Sequence, residues 1–273
     1  MANLVNCKST KYPLPMSHPL YDEVMDPTPQ ELQQMKDVPF RRVLGGLLYL
    51  STRTRPDIAT AVSMIAKYQS NPRPIHWKMV KNVVRYLMGT ADYVILLQNQ
   101  KEKTSVQCWS DADWARDLSN RRSRTGLLLT INNGPIVWTS KIQSSTALST
   151  SEAEFNALAY GIKELKWIRI VLLELQVIDG NPITVMQDNL GTISWTEGVN
   201  GLRKVKHVGI KYNYVRDAVD SNICNIQYTP SAENRSDSLT KVLIGEESVS
   251  YTHLRAHETR EDLVCRLLLE KKK

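Results

Sequence analysis

The chain has no apolar run approaching the roughly 20 residues that a membrane-crossing helix needs. Its first eight residues, MANLVNCK, lack the charged start and apolar core of a secretory signal. Cysteine is scarce: Cys7, Cys108, Cys224 and Cys265 stand far apart and form no CxxC pair. That excludes the spacing of a structural zinc site and suits a reducing, intracellular setting. No repeat or low-complexity stretch is present. What remains is ordinary: 42% hydrophobic and 23% charged over 273 residues, enough for one large domain or two modest ones. The net charge is +7, from 35 Lys+Arg against 28 Asp+Glu, and residues 246–273 hold six of each sign. The basic excess therefore lies in the body of the chain, as suits a partner that is a polyanion.

Residues 1–37 are turn-rich, with Pro13, Pro15, Pro19 and Pro27 and no sustained period, and read as an extended lead-in. Residues 38–100 read as three helices and a short strand. The first helix carries Val43, Leu44, Leu47 and Leu48. The second opens at Pro56 and carries Ile58, Val62 and Ile65. The third opens near Pro74, carries Val80, Val83 and Leu87, and stops at Gly89, a residue typical just past a helix end. A strand candidate follows at 93–97.

From about residue 101 to 243 the pattern changes. Val106–Trp109 reads as a strand leading to Asp111, and 126–131 and 136–140 as a hairpin joined by Asn132-Asn-Gly-Pro135. A long helix is expected over 151–175, although Gly161 weakens it. A strand at 183–187 ends at Asp188 and leads into a short helix. Helix, strand and helix follow at about 207–220, 223–229 and 232–241. Three hairpin-linked strands, then strands alternating with helices, imply an α/β fold with a mixed sheet and helices packed on it.

Four acidic residues, Asp111, Glu154, Asp188 and Asp237, come from separate elements of this second part. Carboxylates delivered to one point suit divalent cations, which take oxygen ligands. Two such ions can activate water and stabilise the leaving oxygen of a phosphodiester. Each residue also has a plainer reading. Ser151-x-x-Glu154 matches a capping box, Asp188 can cap the following helix, and Asp237 can be a solvated acid. Glu154 does begin a stripe of Leu158, Gly161, Leu165, Ile168 and Leu172 that packs inward, where a lone carboxylate is costly. Glu152 falls on the far side of that helix and reads as solvated. Asp113 shares a strand face with Asp111 and reads as a turn residue. Arg121, Arg122 and Arg124, near Arg116, and then Arg203, Lys204, Lys206, His207 and Lys211 flank the acidic set. They are expected to hold phosphates, or else to be solvated faces.

Taken together, these motifs resemble the C-terminal part of the Pol polyprotein of copia-type LTR retrotransposons. Phe40-Arg-Arg-Val-Leu-Gly-Gly-Leu-Leu-Tyr-Leu50, Thr54-Arg-Pro-Asp-Ile-Ala59 and Val84-Arg-Tyr-Leu-Met-Gly-Thr90 resemble the end of its reverse transcriptase. Ser110-Asp-Ala-Asp-Trp-Ala115, Leu148-Ser-Thr-Ser-Glu-Ala-Glu-Phe155, Asp188-Asn189, Lys206-His207 and Asp237-Ser-Leu-Thr-Lys241 resemble its ribonuclease H domain. The resemblance implies a small helical thumb or connection segment over 38–100 and an RNase H-like five-stranded mixed sheet over 101–243. It implies Asp111, Glu154, Asp188 and Asp237 as catalytic ligands of two Mg²⁺ ions, with Mn²⁺ as an alternative. Its implied partners are an RNA/DNA hybrid and the upstream polymerase part of the same polyprotein, in the cytoplasm (a virus-like particle) or the nucleus. No membrane and no small-molecule cofactor are implied.

Val205, Gly209 and Ser236 depart from the family pattern, where Thr, Asp and Ala are usual. They keep open a second reading, a decayed fragment that binds nucleic acid without cutting it. A transposase or integrase would order its acids Asp, Asp, Glu, whereas here Glu comes second. No polymerase-type Tyr-x-Asp-Asp is present, so the chain is expected to be one end of a longer reading frame. Residues 244–273 fit nothing before them. They resemble a translated library-adapter sequence, with an amphipathic helix at 257–270 as the rival reading.

Overall fold

The computed structural model describes residues 7–14, 26–97, 104–117, 119–196, 206–241 and 269–271. Two compact units emerge: Met1–Leu96 with Val242–Lys273, and Leu97–Lys241.

The first unit is helical: α1 (Pro29–Met35), α2 (Phe40–Arg53), a single 3-10 turn (Pro56–Ile58), α3 (Ala59–Ala66) and α4 (Pro74–Gly89), then strand β1 (Tyr93–Ile95). Phe40, Leu44 and Leu47 of α2 meet Val62 and Ile65 of α3 and Met79, Val80 and Val83 of α4 in one buried cluster. The apolar spacing in each helix supplies this stripe. Helix α1 falls inside the lead-in that reads as extended. Thr28 and Glu31 cap each other across its first turn and Pro29 opens it, a signal too short to show as periodicity. Gly89 plays a different part from the one expected. It is the last helical residue, with Thr90 as the cap, and a Cβ on it would lie 2.8 Å from Ser9 Cβ. The glycine admits the irregular segment 7–14, whose carbonyls at Lys8, Tyr12 and Pro13 accept from Arg85 and Asn82. Leu269–Lys271 pair antiparallel with β1, so a helix over 257–270 does not hold at its last two positions; 257–268 lie outside the described residues.

The second unit is built on β2 (Val106–Asp113), β3 (Arg124–Ile131), β4 (Gly134–Ile142), α5 (Thr150–Glu174), β5 (Ile183–Gln187), α6 (Leu190–Thr196), α7 (Lys206–Asp220) and β6 (Cys224–Tyr228). The sheet order is β4-β3-β2-β5-β6. The first three strands are antiparallel, and the β2–β5 and β5–β6 pairs are parallel. The β3–β4 turn places Asn132 at φ 46° and Asn133 at φ 70°, the left-handed pair that asparagine tolerates and a tight hairpin demands.

Helix α5 crosses the sheet unbroken. Its Leu158, Ile162, Leu165, Ile168 and Leu172 bury against Cys108, Leu127, Leu129 and Val185, each large side chain stabilising by about 1.5–3 kcal/mol. Gly161 is where the helix comes nearest the strands: a Cβ there would sit 3.1 Å from Leu127 Cδ1 and 3.5 Å from Cys108 Sγ. The glycine that weakened the helix in the sequence seats it on the sheet. The helix expected at 232–241 is instead two single 3-10 turns, Ser231–Glu233 and Asp237–Leu239. A mixed five-stranded sheet in this order, with its long helix across β2, is an RNase H-like fold.

Candidate metal centre

Three chain positions far apart in sequence converge at the carboxyl ends of β2 and β5. Asp111, near the end of β2, is 4% exposed. It pairs across the sheet with Gly126 of β3. A Cβ at Gly126 would lie 2.6 Å from the Ser236 carbonyl oxygen and 2.7 Å from Thr240 Cγ2, so glycine alone lets the 231–241 segment lie against Asp111. That segment is pinned at two points. Asn234 Nδ2 donates to the Ser110 carbonyl at 3.0 Å, and the Thr240 hydroxyl donates to Asp111 Oδ2. Ser236, a departure from the family pattern, is accommodated: it is fully buried and its hydroxyl donates to Asn234 Oδ1 at 2.7 Å.

Glu154 comes from the second turn of α5. The helix begins one residue before the expected start, with Ser149 as cap accepting from the Glu152 N–H. Glu152 is not solvated: it is buried, and its carboxylate accepts from the Leu148 N–H at 2.8 Å. Glu152 therefore does the reaching back that Ser151-x-x-Glu154 suggested for Glu154. Released from capping, Glu154 is 7% exposed and its Oε2 is buried without a hydrogen-bond partner among the described residues. Asp188 is likewise free of the capping role. Asn189 Oδ1 accepts from the Thr192 N–H in α6, while Gln187 Oε1 accepts from the Asp188 and Asn189 N–H groups.

One oxygen from each of Asp111, Glu154 and Asp188 lies within 4.8 Å of the others. Like charges this close, out of water, oppose one another. Burial first, and then the Asp237 and Asp188 carboxylates, push the Asp111 carboxyl up to about 7, against the Thr240 hydrogen bond and the Lys241 charge. Burial, then Asp111 and Asp188, push Glu154 up to about 9, against hydrogen bonds from Ala112 and Gln187. A divalent cation at this point would answer both problems, since it would supply a partner for Oε2 and offset the repulsion.

Asp237 stands apart from the trio. It sits in the last 3-10 turn, with its Oδ1 bound by the Lys241 ammonium. Asp113 is the last residue of β2 and not the turn residue read for it, and its carboxylate pairs with Arg116 at 3.6 Å. The basic set divides. Arg121 and Arg122 are exposed in the β2–β3 loop, Arg121 at φ 53°. Arg124 is buried and donates to the Ser140 hydroxyl on β4 at 3.1 Å, so its guanidinium braces the sheet and is withdrawn from the surface where phosphates were expected. Lys211 is half-buried and donates to Asn156 Oδ1 on α5 at 2.6 Å. Lys206 and His207 open α7; Arg203 and Lys204 lie outside the described residues. Reading the sequence alone missed Gly126, Asn234 and Thr240. The Asn-x-Ser spacing at 234–236 is an Asx-turn pattern, but nothing local ties it to a strand more than a hundred residues away.

No protein-family model matches the chain. Among curated proteins it is 34% identical over 241 residues to the retrovirus-related Pol polyprotein from transposon TNT 1-94 of Nicotiana tabacum, covering 88% of this chain and 18% of that one. It is 33% identical over 204 residues to the Pol polyprotein from transposon RE2 of Arabidopsis thaliana, covering 75% and 14%. It is also 40% identical over 136 residues to secreted RxLR effector protein 161 of Plasmopara viticola, covering 50% of this chain and 95% of that one. Among solved structures, LC11-RNase H1 isolated from compost aligns with 50% of this chain and 91% of its own, at 17% identity and a TM-score of 0.38. The chain thus spans less than a fifth of the length of the two polyproteins. It belongs to the family of Pol polyproteins of copia-type transposons and corresponds to a segment of them.

Proposed function

We propose that the second unit is a ribonuclease H-type endonuclease that cuts the RNA strand of RNA/DNA hybrids, acting within a retrotransposon reverse transcriptase polyprotein. The observation that carries this reading is the group of three buried or half-buried carboxylates within 4.8 Å, one of them with an oxygen that has no partner. Asp111, Glu154 and Asp188 would hold divalent cations, Mg²⁺ or Mn²⁺, with Asp237 as the fourth carboxylate. When bound, such ions activate water and stabilise the leaving oxygen of a phosphodiester.

The chain's own contribution is positioning. Thr240 orients Asp111 through its hydroxyl, and Gly126 and Asn234 hold Thr240 in place. Gln187 fixes the start of the Asp188 segment. Arg121 and Arg122, exposed in the loop, would meet phosphates, contacts that set register without reading sequence. Selection of RNA would rest on 2′-hydroxyls and duplex shape across the minor groove.

The test is a labelled RNA/DNA hybrid incubated with the chain and Mg²⁺, beside Asp111→Asn. The expected result is RNA cleavage that the substitution abolishes while hybrid binding survives. Cleavage undiminished in Asp111→Asn removes the assignment. A gel shift without cleavage by the unmodified chain would favour the decayed-fragment reading.

A further inference from the structure

The last described turn of the second unit links two acids with consecutive residues. Thr240 N–H and Lys241 N–H both donate to the Asp237 carbonyl, at 3.1 and 3.0 Å, which closes the turn. From this one anchor the Thr240 hydroxyl reaches Asp111 Oδ2 and the Lys241 ammonium reaches Asp237 Oδ1. The positive charge of Lys241 also acts on Asp111 and Asp113. A cation supplied by the chain therefore lies against Asp237, while Glu154 Oε2 has no hydrogen-bond partner among the described residues.

The two sides differ in what a metal ion would meet. At Asp111, Glu154 and Asp188 it meets convergent oxygens and an orphaned acceptor. At Asp237 it meets an ammonium whose charge also acts on Asp111. Lysine suits a displaceable partner because its charge rides on a flexible four-carbon stem, and the Lys241 side chain is 47% exposed, so water can receive it when it leaves. Its backbone stays fixed by the turn whichever way the side chain points.

We propose that Lys241 is a built-in counter-ion competing with a second divalent ion at the Asp111–Asp237 side of the centre. In the chain free of nucleic acid, one ion binds at Asp111, Glu154 and Asp188, and a second binds only by displacing the ammonium. The asymmetry resides in the chain itself and would withhold the complete centre until a further ligand, such as a bound phosphodiester, draws Lys241 away. The inference rests on the metal-centre reading proposed above.

The experiment is a Mn²⁺ titration of the full chain without nucleic acid, read by calorimetry and by electron paramagnetic resonance of free Mn²⁺. The variants are Lys241→Met, Lys241→Arg, Asp111→Asn and the double variant Lys241→Met/Asp237→Asn, each checked for fold by circular dichroism. The unmodified chain is expected to take one ion tightly and a second weakly. Lys241→Met should tighten the second about tenfold or more and leave the first within about threefold. Lys241→Arg should retain the unmodified pattern, and adding Asp237→Asn should erase the gain of Lys241→Met. A second ion bound no tighter in Lys241→Met, or a gain that survives Asp237→Asn, overturns this proposal alone. Absence of any Asp111-dependent ion in the unmodified chain overturns the metal centre and this inference with it.

Discussion

Replacing Asp111 with Asn should make the metal-free chain more stable above neutral pH. In the native state the Asp111 carboxyl titrates near 7 and Glu154 near 9, against ordinary values of 3.8 and 4.5. The sign follows from proton counting. Between the ordinary and raised values the folded state holds more protons than the unfolded state, so stability falls as pH rises through that window. For Asp111 the loss runs from about pH 4 to 7, and for Glu154 from about pH 4.5 to 9. Each pKa unit is about 1.4 kcal/mol, and since the two groups repel each other their costs are not additive. A cost on the order of 4–5 kcal/mol, that of either group alone, is the least to expect at pH 8. Asn keeps an oxygen to accept from Thr240 and removes one of the mutually repelling charges, recovering roughly 2 kcal/mol. For a protein of this size that corresponds to a midpoint about 4–8 °C higher. Thermal unfolding by circular dichroism at pH 5, 7 and 9 in EDTA measures it, and repeating the series in Mg²⁺ should stabilise the unmodified chain selectively. A flat pH response in EDTA, or an Asn variant less stable at pH 8, would refute the electrostatic account of the site.

Gly126→Ala should cost on the order of 1–3 kcal/mol and lower nuclease activity more than tenfold, because its Cβ would push the Ser236 carbonyl and release Thr240 from Asp111; unaltered activity and melting would count against the pinning role. His76 is buried, with Nδ1 accepting from the Arg73 N–H, and burial and Arg73 lower its pKa to about 4. The unfolded state takes up this proton first as pH falls, so stability should be complete above about 6.5 and decline by a few kcal/mol at most toward pH 4; His76→Gln should remove that component from the acid unfolding curve. Arg121→Ala and Arg122→Ala should weaken hybrid binding whatever the sequence and reduce the salt slope by about one per residue, as a fluorescence anisotropy titration across salt concentrations would report. Arg124→Ala, by contrast, should lower the melting temperature, since its guanidinium lies inside the sheet against Ser140.

Much of the second unit was already legible in the linear chain, because its signals are local. Asn132-Asn-Gly marks a hairpin turn since asparagine and glycine tolerate the left-handed backbone such turns require. The inward stripe of α5 and the strand before Asp111 follow from periods of 3.6 and 2. With the strand expected at 183–187, these features set the kind of element that carries or precedes Asp111, Glu154 and Asp188. Local patterns misled where two of them overlapped: Ser149 and Ser151 both precede a Glu by three residues, and only the actual helix start assigns the capping to Glu152 and leaves Glu154 Oε2 without a partner among the described residues.

Tertiary structure decided the rest, for reasons of distance and space. Gly126 matters because a segment more than a hundred residues later lies against it, and no residue beside Gly126 announces that neighbour. Arg124 sits among surface arginines in the sequence but points into the sheet, because strand alternation there places it over Ser140. Asp237 takes Lys241 as its partner one helical turn on, a pairing that i,i+4 spacing permits but does not require. Composition and periodicity could name the acids. Only the folded chain, by burying Asp111 and Glu154 and bringing them within 4.8 Å of the half-buried Asp188, gave them a reason to hold a cation.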